Sequence, residues 1–483
     1  MDGDRYWAIR KFLRHDIKLR PLLWDRKSAR GLFWQCKLNK VQQNGFNFTA
    51  AAVAPPKVLL TENVRWPNVA LLAIRLAKAG SLVSAVCPSG HPLRLTRAVR
   101  QTFPYSSLRP LESLRVAIDA ANPDIIIPCD DRAVQHLHEL HGRTRNLGAP
   151  GNAITALIEK SLGSPESYET VFDRNRLLRI AREKGLRVPE TVRLNSLSDL
   201  KSWQAQQPFP WVLKTDGTFG GTGVKIAHDF AEAERCWHEL SRYYTAGRAL
   251  KRLCVNRDAF WFRPWWKGAR PNVSVQVYVR GRPANSAMVC WQGRVLADVG
   301  VEVVSSAGLT GPANVVRVVN NSDMKEAAER LAARLGLSGF FGFDFMIEDG
   351  SGLTHLIEMN PRLTRPSCLQ LGGRRDLVAA LSAQLSGRPF RPEPPFNQDK
   401  LIAYFPDALT CKSEFLAACV HDTPEGEASL VQAFLKPWPP KGVFWHLVNQ
   451  ADQARALIKG KKSVRGSESK KRVKSGTVER QAL

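Results

Sequence analysis

The sequence predicts an α/β fold of two to three domains, and three observations carry that prediction. From Lys57 onward, short apolar strands alternate with helical stretches, the pattern of a parallel sheet covered by helices. Residues 210–214 form a short buried-type strand that ends in Lys214 and runs into a glycine-rich turn at 215–223, with a second strand at 224–227. Residues 339–362 read as two apolar strands around Asp349-Gly350-Ser351-Gly352, whose glycines supply the positive φ that a tight hairpin needs.

Taken in order, residues 1–54 form a basic extension containing Trp7, Trp24 and Trp34, closed by a linker of alanines and prolines. Residues 55–150 form the first α/β domain. It has strands at 58–60, 82–86 and 124–128, helices at 67–79 and 111–121, and a further helix through His141 capped by Asp130-Asp131 at the carboxyl edge of the sheet. Residues 151–390 form the second domain. One long helix is expected over 164–184, ending at Gly185 and carrying Arg174, followed by a lid at about 188–273 centred on the glycine turn. Within the lid, residues 251–271 interleave arginines with Phe260, Trp261, Phe262, Trp265 and Trp266, and read as an inserted hairpin packing its own apolar side. Strands follow at 286–290 and 295–304, then a helix at 324–335, the hairpin, and a helix at 377–385. Arg317, on a strand after Thr310-Gly311, is the first choice for contact with a substrate anion, or else balances Glu302. Residues 391–450 read as an appended small region, and 451–483 as a basic disordered tail.

The hairpin carries the chemistry. With the loop at Gly350–Gly352, Asp344 falls opposite Glu358, and Asn360 shares their face by period-two alternation. Phe341, Phe343, Phe345 and Ile347 then point to a core. Like charges directly opposite in a sheet repel, so the pair suggests a cation between them. Two acids and an amide oxygen suit Mg²⁺ completed by substrate phosphates. A solvated polar face is the alternative. The glycine turn fits neither the Walker nor the dinucleotide pattern, but its backbone N–H groups can wrap phosphate oxygens while Lys214 adds a point charge.

Together the lysine strand, the glycine turn and the Asp344…Ile357-Glu358-Met359-Asn360-Pro361-Arg362 hairpin resemble the ATP-grasp superfamily, in particular the carbamoyl phosphate synthase large-subunit type, over residues 57–390. The resemblance implies an α+β ATP-grasp fold preceded by a Rossmann-like pre-ATP-grasp domain. It implies that Lys214, Gly220, Gly221 and Gly223 hold ATP phosphates, with Arg174 as a further phosphate-binding residue. Asp344, Glu358 and Asn360 would ligate Mg²⁺, for which Mn²⁺ could substitute, and Arg362 would meet the transferring phosphoryl group. The hinge segment Gln276-Val277-Tyr278 would read adenine through its backbone; the carboxylate often found on that strand is missing. Leu309-Thr310-Gly311 stands where the synthase has His-Thr-Gly.

The implied activity is that of an ATP-dependent ligase joining an unidentified carboxylate to a nucleophile through an acyl phosphate. The competing expectation is a catalytically weak ATP-binding or scaffold protein. It draws on the formal net charge of +26, of which residues 1–50 and 451–483 carry +7 each, enough for weak polyanion contact through the tails. Hydrophobic content of 44% and charged content of 24% are ordinary for a globular protein. No apolar run long enough for a membrane span is present. The first residues lack the order of a signal peptide, and the nine cysteines include no Cys-x-x-Cys pair, so a reducing cytoplasm is expected. His136, His138 and His141 lack zinc-helix spacing and are expected on a polar surface. A homodimer is compatible with all of this.

Overall fold

Strands β1 (Lys57–Thr61), β2 (Leu82–Cys87), β3 (Val99–Pro104) and β4 (Ile125–Pro128) form an all-parallel sheet in the order β3-β2-β1-β4. β1 and β4 lie at its centre and far edge and are almost wholly buried, which is why they read as unbroken apolar runs. Helices α1 (Pro67–Lys78) and α2 (Pro110–Ala121) each begin with proline in the first turn, where its missing N–H has no intrahelical partner to lose. After β4, Asp130 caps α3 (Asp131–Thr144), accepting from the N–H groups of Arg132 and Ala133. β3 and α4 (Gly148–Leu162) were not anticipated from the sequence.

The structure is a computed structural model that describes residues 54–436, apart from 218–222, 243–244, 248–249, 251–259, 261, 269, 309–310, 372–374, 391–400, 411–415 and 417–418. The chain divides between Ala54 and Pro55. The expected extension up to residue 53, the tail, Gly220, Gly221, Leu309 and Thr310 lie outside the described residues.

The single helix expected over 164–184 is instead broken. Residues 165–167 and 170–172 form 3₁₀ turns, and α5 (Arg174–Glu183) starts only after Asp173, whose carboxylate accepts from Arg176 N at 3.0 Å. A capping aspartate competes with the helical backbone for its N–H groups. Arg174 therefore stands at the tip of a helix and not in its middle.

Strands β5 (Thr191–Leu194), β6 (Trp211–Thr215), β7 (Val224–Ala227) and β8 (Val273–Val277) form an antiparallel sheet in the order β5-β8-β6-β7, covered by α6 (Leu197–Gln204) and α7 (Phe230–Ser241). Its own core holds Trp203, Trp211, Leu213 and Val275. In place of the hairpin expected within 251–271, the described part forms the short helix α8 (Phe262–Trp266), in which the ring of Phe262 stacks on Trp266 while Trp265 meets both edge-on.

The largest sheet runs β13-β12-β9-β10-β11-β14-β15. It comprises β9 (Gly281–Trp291), β10 (Arg294–Ser306), β11 (Ala313–Val319), β12 (Gly339–Glu348), β13 (Thr354–Asn360), β14 (Leu401–Ala403) and β15 (Val420–His421). Helices α9 (Ser322–Leu335), α10 (Leu377–Ser386) and α11 (Ala428–Leu435) accompany it. Residues 401–435 are not a separate appendage: β14 pairs with β11, and Ile402, Tyr404, Leu430 and Phe434 share one core with Val58, Leu60 and Leu72 of the parallel sheet and with Val289, Val316 and Phe340. Apolar packing thus runs straight across the boundary expected at residue 150.

The hairpin pairs Asp344 with Glu358, but the turn alone does not set this register. Nearer the turn Phe345 faces Leu356, and a bulge at Ile357 shifts the ladder by one residue before Asp344 meets Glu358. A one-residue slip exchanges the two faces of a strand. The bulge keeps Leu356 and Met359 on the core side while Glu358 and Asn360 join Asp344 on the opposite, half-buried face. Gly342, opposite Asn360, leaves room for the turn that follows the hairpin, since a Cβ there would lie 2.4 Å from Thr364 Cγ2 and 2.9 Å from its Oγ1. Gly342→Ala should therefore destabilise the protein by about 1–3 kcal/mol through overpacking, read as a lowered denaturant midpoint. Adding Thr364→Ser, which removes Cγ2, should recover part of the loss.

Candidate functional site

The hairpin, the tip of α5, the end of β6 and the first turns of α3 converge on a cleft of about 170 Å³ lined by Asp131, Arg132, Arg174, Asp216, Phe260, Asp344, Glu358, Asn360 and Arg362. Each residue is delivered by local structure. Asp344 and Glu358 come from the bulged register, Arg174 from the Asp173 cap, and Asp216 from the first residue beyond β6. Asp131 and Arg132 come from the carboxyl edge of the parallel sheet, where α/β proteins place their ligand crevices.

Arg174 is the central cation. Its side chain is 7% exposed and bridges two acids, with Nη1 at 3.0 Å from Asp216 Oδ1 and Nη2 at 3.0 Å from Glu358 Oε1. Burial works against its charge, but Glu358 and Asp216 outweigh burial and hold the guanidinium above its ordinary pKa. Burial likewise opposes the Glu358 carboxylate, yet Arg174 and Lys214 hold it below the usual range. Asp344 goes the other way. Burial and the facing Glu358 push its carboxyl up, although Asn285 Nδ2 donates to Oδ1 at 2.6 Å and Asn360 Nδ2 to Oδ2 at 3.2 Å. Burial also raises Asp216 against the pull of Arg174. Lys214, 5% exposed at the end of β6, is pushed down to about 7 by burial and by Arg174, against the pull of Glu358 and Asp344.

The repulsion left on Asp344 is the tension that a cation would relieve. Two carboxylates and an amide oxygen on one face fit a hard divalent cation that completes its shell with phosphate and water. Among the described residues no group of three or more His, Cys, Asp or Glu side chains could hold a metal by itself. Asn360 Oδ1 accepts from Arg362 Nη2 at 3.2 Å, and Arg362 Nε donates to Asp131 Oδ2 at 2.8 Å, which ties the hairpin end to α3.

Of the residues singled out from the sequence, the structure brings Arg174, Lys214, Asp344, Glu358, Asn360 and Arg362 together. The carbonyl of Gly223 accepts from Thr215 N at 2.9 Å, closing the glycine turn onto β6. Gln276 is buried and donates to Thr191 Oγ1 at 2.9 Å, Val277 N donates to Glu190 O, and Tyr278 is exposed just beyond β8; none of the three lines the cleft. Arg317 is exposed on β11 opposite Glu302, with β10 and β9 between its strand and the hairpin, and it does not line the cleft either.

Sequence reasoning gave no site role to Asp216, Arg132 or Asn285, and for Asp131 it preferred a capping role to a functional one. Asp216 and Asp131 each stand just past the end of a buried strand, and that position was the available signal. The expectation that His136 and His141 lie on a polar surface is corrected, since both are buried: His141 meets Glu159 at 2.8 Å, and His136 lies between the rings of Tyr105 and Phe260. No helix among the described residues is long and apolar enough to cross a membrane.

Residues 172–366 match the ATP-grasp domain family. Over 362 residues the chain is 25% identical to the carbamoyl phosphate synthase large chain of Thermomicrobium roseum, covering 68% of this chain and 32% of that one. It spans only 20–32% of the length of the first such relatives it matches. Among solved structures, N5-carboxyaminoimidazole synthase from Aspergillus clavatus, in complex with ADP and 5-aminoimidazole ribonucleotide, superposes with a TM-score of 0.51 at 14% identity, covering 70% of this chain and 78% of that one. The biotin carboxylase domain of Hydrogenobacter thermophilus 2-oxoglutarate carboxylase, in complex with MgADP and bicarbonate, gives 0.50 at 14% identity, covering 71% and 73%. These two likenesses speak to the fold alone. The α/β architecture, the motif hairpin and the family match agree, and the chain carries an ATP-grasp domain at residues 172–366.

Proposed function

We propose that this chain is an ATP-dependent ligase that activates a carboxylate as an acyl phosphate for attack by an amine or similar nucleophile. The observation that carries the reading is the meeting, in one cleft, of Asp344, Glu358 and Asn360 on one hairpin face with Arg174 and Arg362, beside the buried Lys214, whose amine feels the charges of Glu358 and Asp344 without lining the cleft. Phosphoryl transfer asks a protein chiefly for positioning and charge stabilisation, and this set supplies both. Mg²⁺ held by the hairpin, or Mn²⁺ in its place, would neutralise charge on the phosphate oxygens. In the first step a substrate carboxylate oxygen forms a bond to the γ-phosphorus while the bond to the ADP oxygen breaks, its electron pair leaving with ADP. In the second the nucleophile adds to the acyl carbon, phosphate leaves, and the nucleophile's proton passes to water. No protein nucleophile is called for, and burial holds the Cys87 and Cys368 thiols up at about 12. The solved neighbours differ from one another in name, and the chain spans a third or less of the length of the first carbamoyl phosphate synthase relatives, so the acceptor is to be found by experiment.

A screen of carboxylates and amines for ADP release with MgATP tests the proposal. Release that needs both a carboxylate and a nucleophile is expected; tight ATP binding without turnover on any pair would favour the binding-protein reading. Glu358→Gln keeps an acceptor oxygen for Arg174 but removes one charge. It should shrink the MgATP-induced rise in melting temperature and lower ADP formation by about 10²-fold or more. Retention of the full shift and rate would remove the metal assignment.

Lys214 makes a prediction for the unliganded protein. Its folded pKa lies below the value of about 10.4 for an exposed lysine, so between about pH 7 and pH 10 the unfolded chain binds more protons and stability contributed by this group rises with pH. Lys214→Met should accordingly exceed wild type in denaturant stability most at pH 7, with the gap narrowing towards pH 10. A constant gap across that range would refute the burial argument.

A further inference from the structure

We propose that Asp131 and Trp66 are positioning residues that clamp Arg362, so that the first α/β domain sets the aim of a phosphoryl-contacting guanidinium; this rests on the ligase reading above. Three contacts fix that group from three directions. Asp131 Oδ2 accepts from Nε at 2.8 Å, Asn360 Oδ1 accepts from Nη2 at 3.2 Å, and the indole of Trp66 lies against its face with 4.3 Å between Cζ and the ring centroid. A fourth, from Nη1 to the carbonyl of Leu363, is also 3.2 Å. Arginine has five N–H donors in one plane, so these bonds leave one on each terminal nitrogen, a fork that matches phosphate oxygens. With one face covered by Trp66 and Nε held, the plane of the fork cannot turn freely.

The clamp is itself held. Trp66 N donates to Glu62 Oε1 at 2.7 Å, and Glu62, fully buried, lies 3.1 Å from His91 Nε2. His91 Nδ1 accepts from Leu93 N, which leaves the Nε2 proton to face Glu62 and the carbonyl of Val64. Asn63 in the same loop donates to Asp130, the cap of the helix that begins with Asp131. The loops after β1 and β4, two neighbouring strands of the parallel sheet, are therefore tied together and both end on Arg362. A residue serving only as a surface ion pair would need none of this support, and the Arg362 side chain is just 11% exposed.

The test separates the γ-phosphate from the rest of the nucleotide. Titration calorimetry with MgADP and with the magnesium complex of the non-hydrolysable analogue AMPPNP is run on wild type, Asp131→Ala, Asp131→Asn and Trp66→Phe, each checked for folding by its unliganded melting temperature. For Asp131→Ala we expect AMPPNP affinity to fall about tenfold, the scale of one misaligned charge-assisted contact, with MgADP affinity within about twofold of wild type. Asp131→Asn, which keeps an acceptor oxygen, should lie between. Trp66→Phe, which keeps an aromatic face, should lose less than Asp131→Ala. Equal losses for both nucleotides would make Asp131 merely structural and overturn the clamp, as would unchanged affinities. Wild type binding neither nucleotide would overturn the ligase reading and the clamp with it, whereas nucleotide binding with no selective loss sinks the clamp alone.

Discussion

Two carboxylates facing one another across a hairpin at the floor of a shared cleft are the constraint on which the rest of the site depends. Asp344 and Glu358 sit at neighbouring positions of one ladder, and nothing in the sheet itself separates their charges. The surroundings divide the pair. Asn285 and Asn360 give Asp344 neutral donors, while Glu358 receives the guanidinium of Arg174. Burial and repulsion raise the first acid, and the cations lower the second. One member is thus poised to share its charge with a further cation and the other is already committed as an anion. Polar groups this close and this shielded are costly to leave unpaired, and Asn285, Asn360 and Arg174 meet that demand.

Much of this was legible in the sequence because it rests on short-range pattern. Period-two alternation identified the apolar and polar faces of residues 339–362, and the Asp130 cap marked the start of the helix through His141. What escaped was fixed at longer range. The Asp344–Glu358 register needs the bulge at Ile357, and no local signal distinguishes that residue from an ordinary strand isoleucine. The expected helix over 164–184 took its apolar spacing as continuous, whereas Pro165 and the Asp173 cap divide it. Arg317 is close to the hairpin in sequence but three places from β12 in the strand order, because β9 and β10 intervene and β12 pairs with β9 instead of β11. Asp131 was visible as a residue at the carboxyl edge of a sheet; its partner, 231 positions later in the chain, was not.

The packing also explains which boundaries matter. Residues 55–150 look independent in sequence because they complete an α/β pattern, yet the helix side of their sheet shares one apolar core with β9, β10, β11 and β14. A joint of that kind holds its two sides in fixed register, since opening it would expose apolar area at about 25 cal/mol per Å². Asp131 and Trp66 can therefore be placed against Arg362 with little loss of aim. Without that shared core, an ion pair spanning two domains would fluctuate with them.

The sheet β5-β8-β6-β7 is joined differently. Its apolar residues close on themselves around Trp211 and Leu213, and named links to the neighbouring structure are polar: Arg174 to Asp216, Asn175 to Ser274 at 2.9 Å, and Arg193 to Asp173 at 2.7 Å. Polar links exchange protein partners for water or ligand at small net cost, which apolar joints cannot do. Arg174 matters most here, because the same guanidinium that pairs with Asp216 beyond β6 also pairs with Glu358 on the hairpin. Any anion that drew Arg174 away from either acid would alter the charge on the hairpin and the tie to this sheet together. The molecule thus combines a rigid apolar seam, which aims Arg362, with a polar seam centred on Arg174, and both seams meet at the same pair of carboxylates.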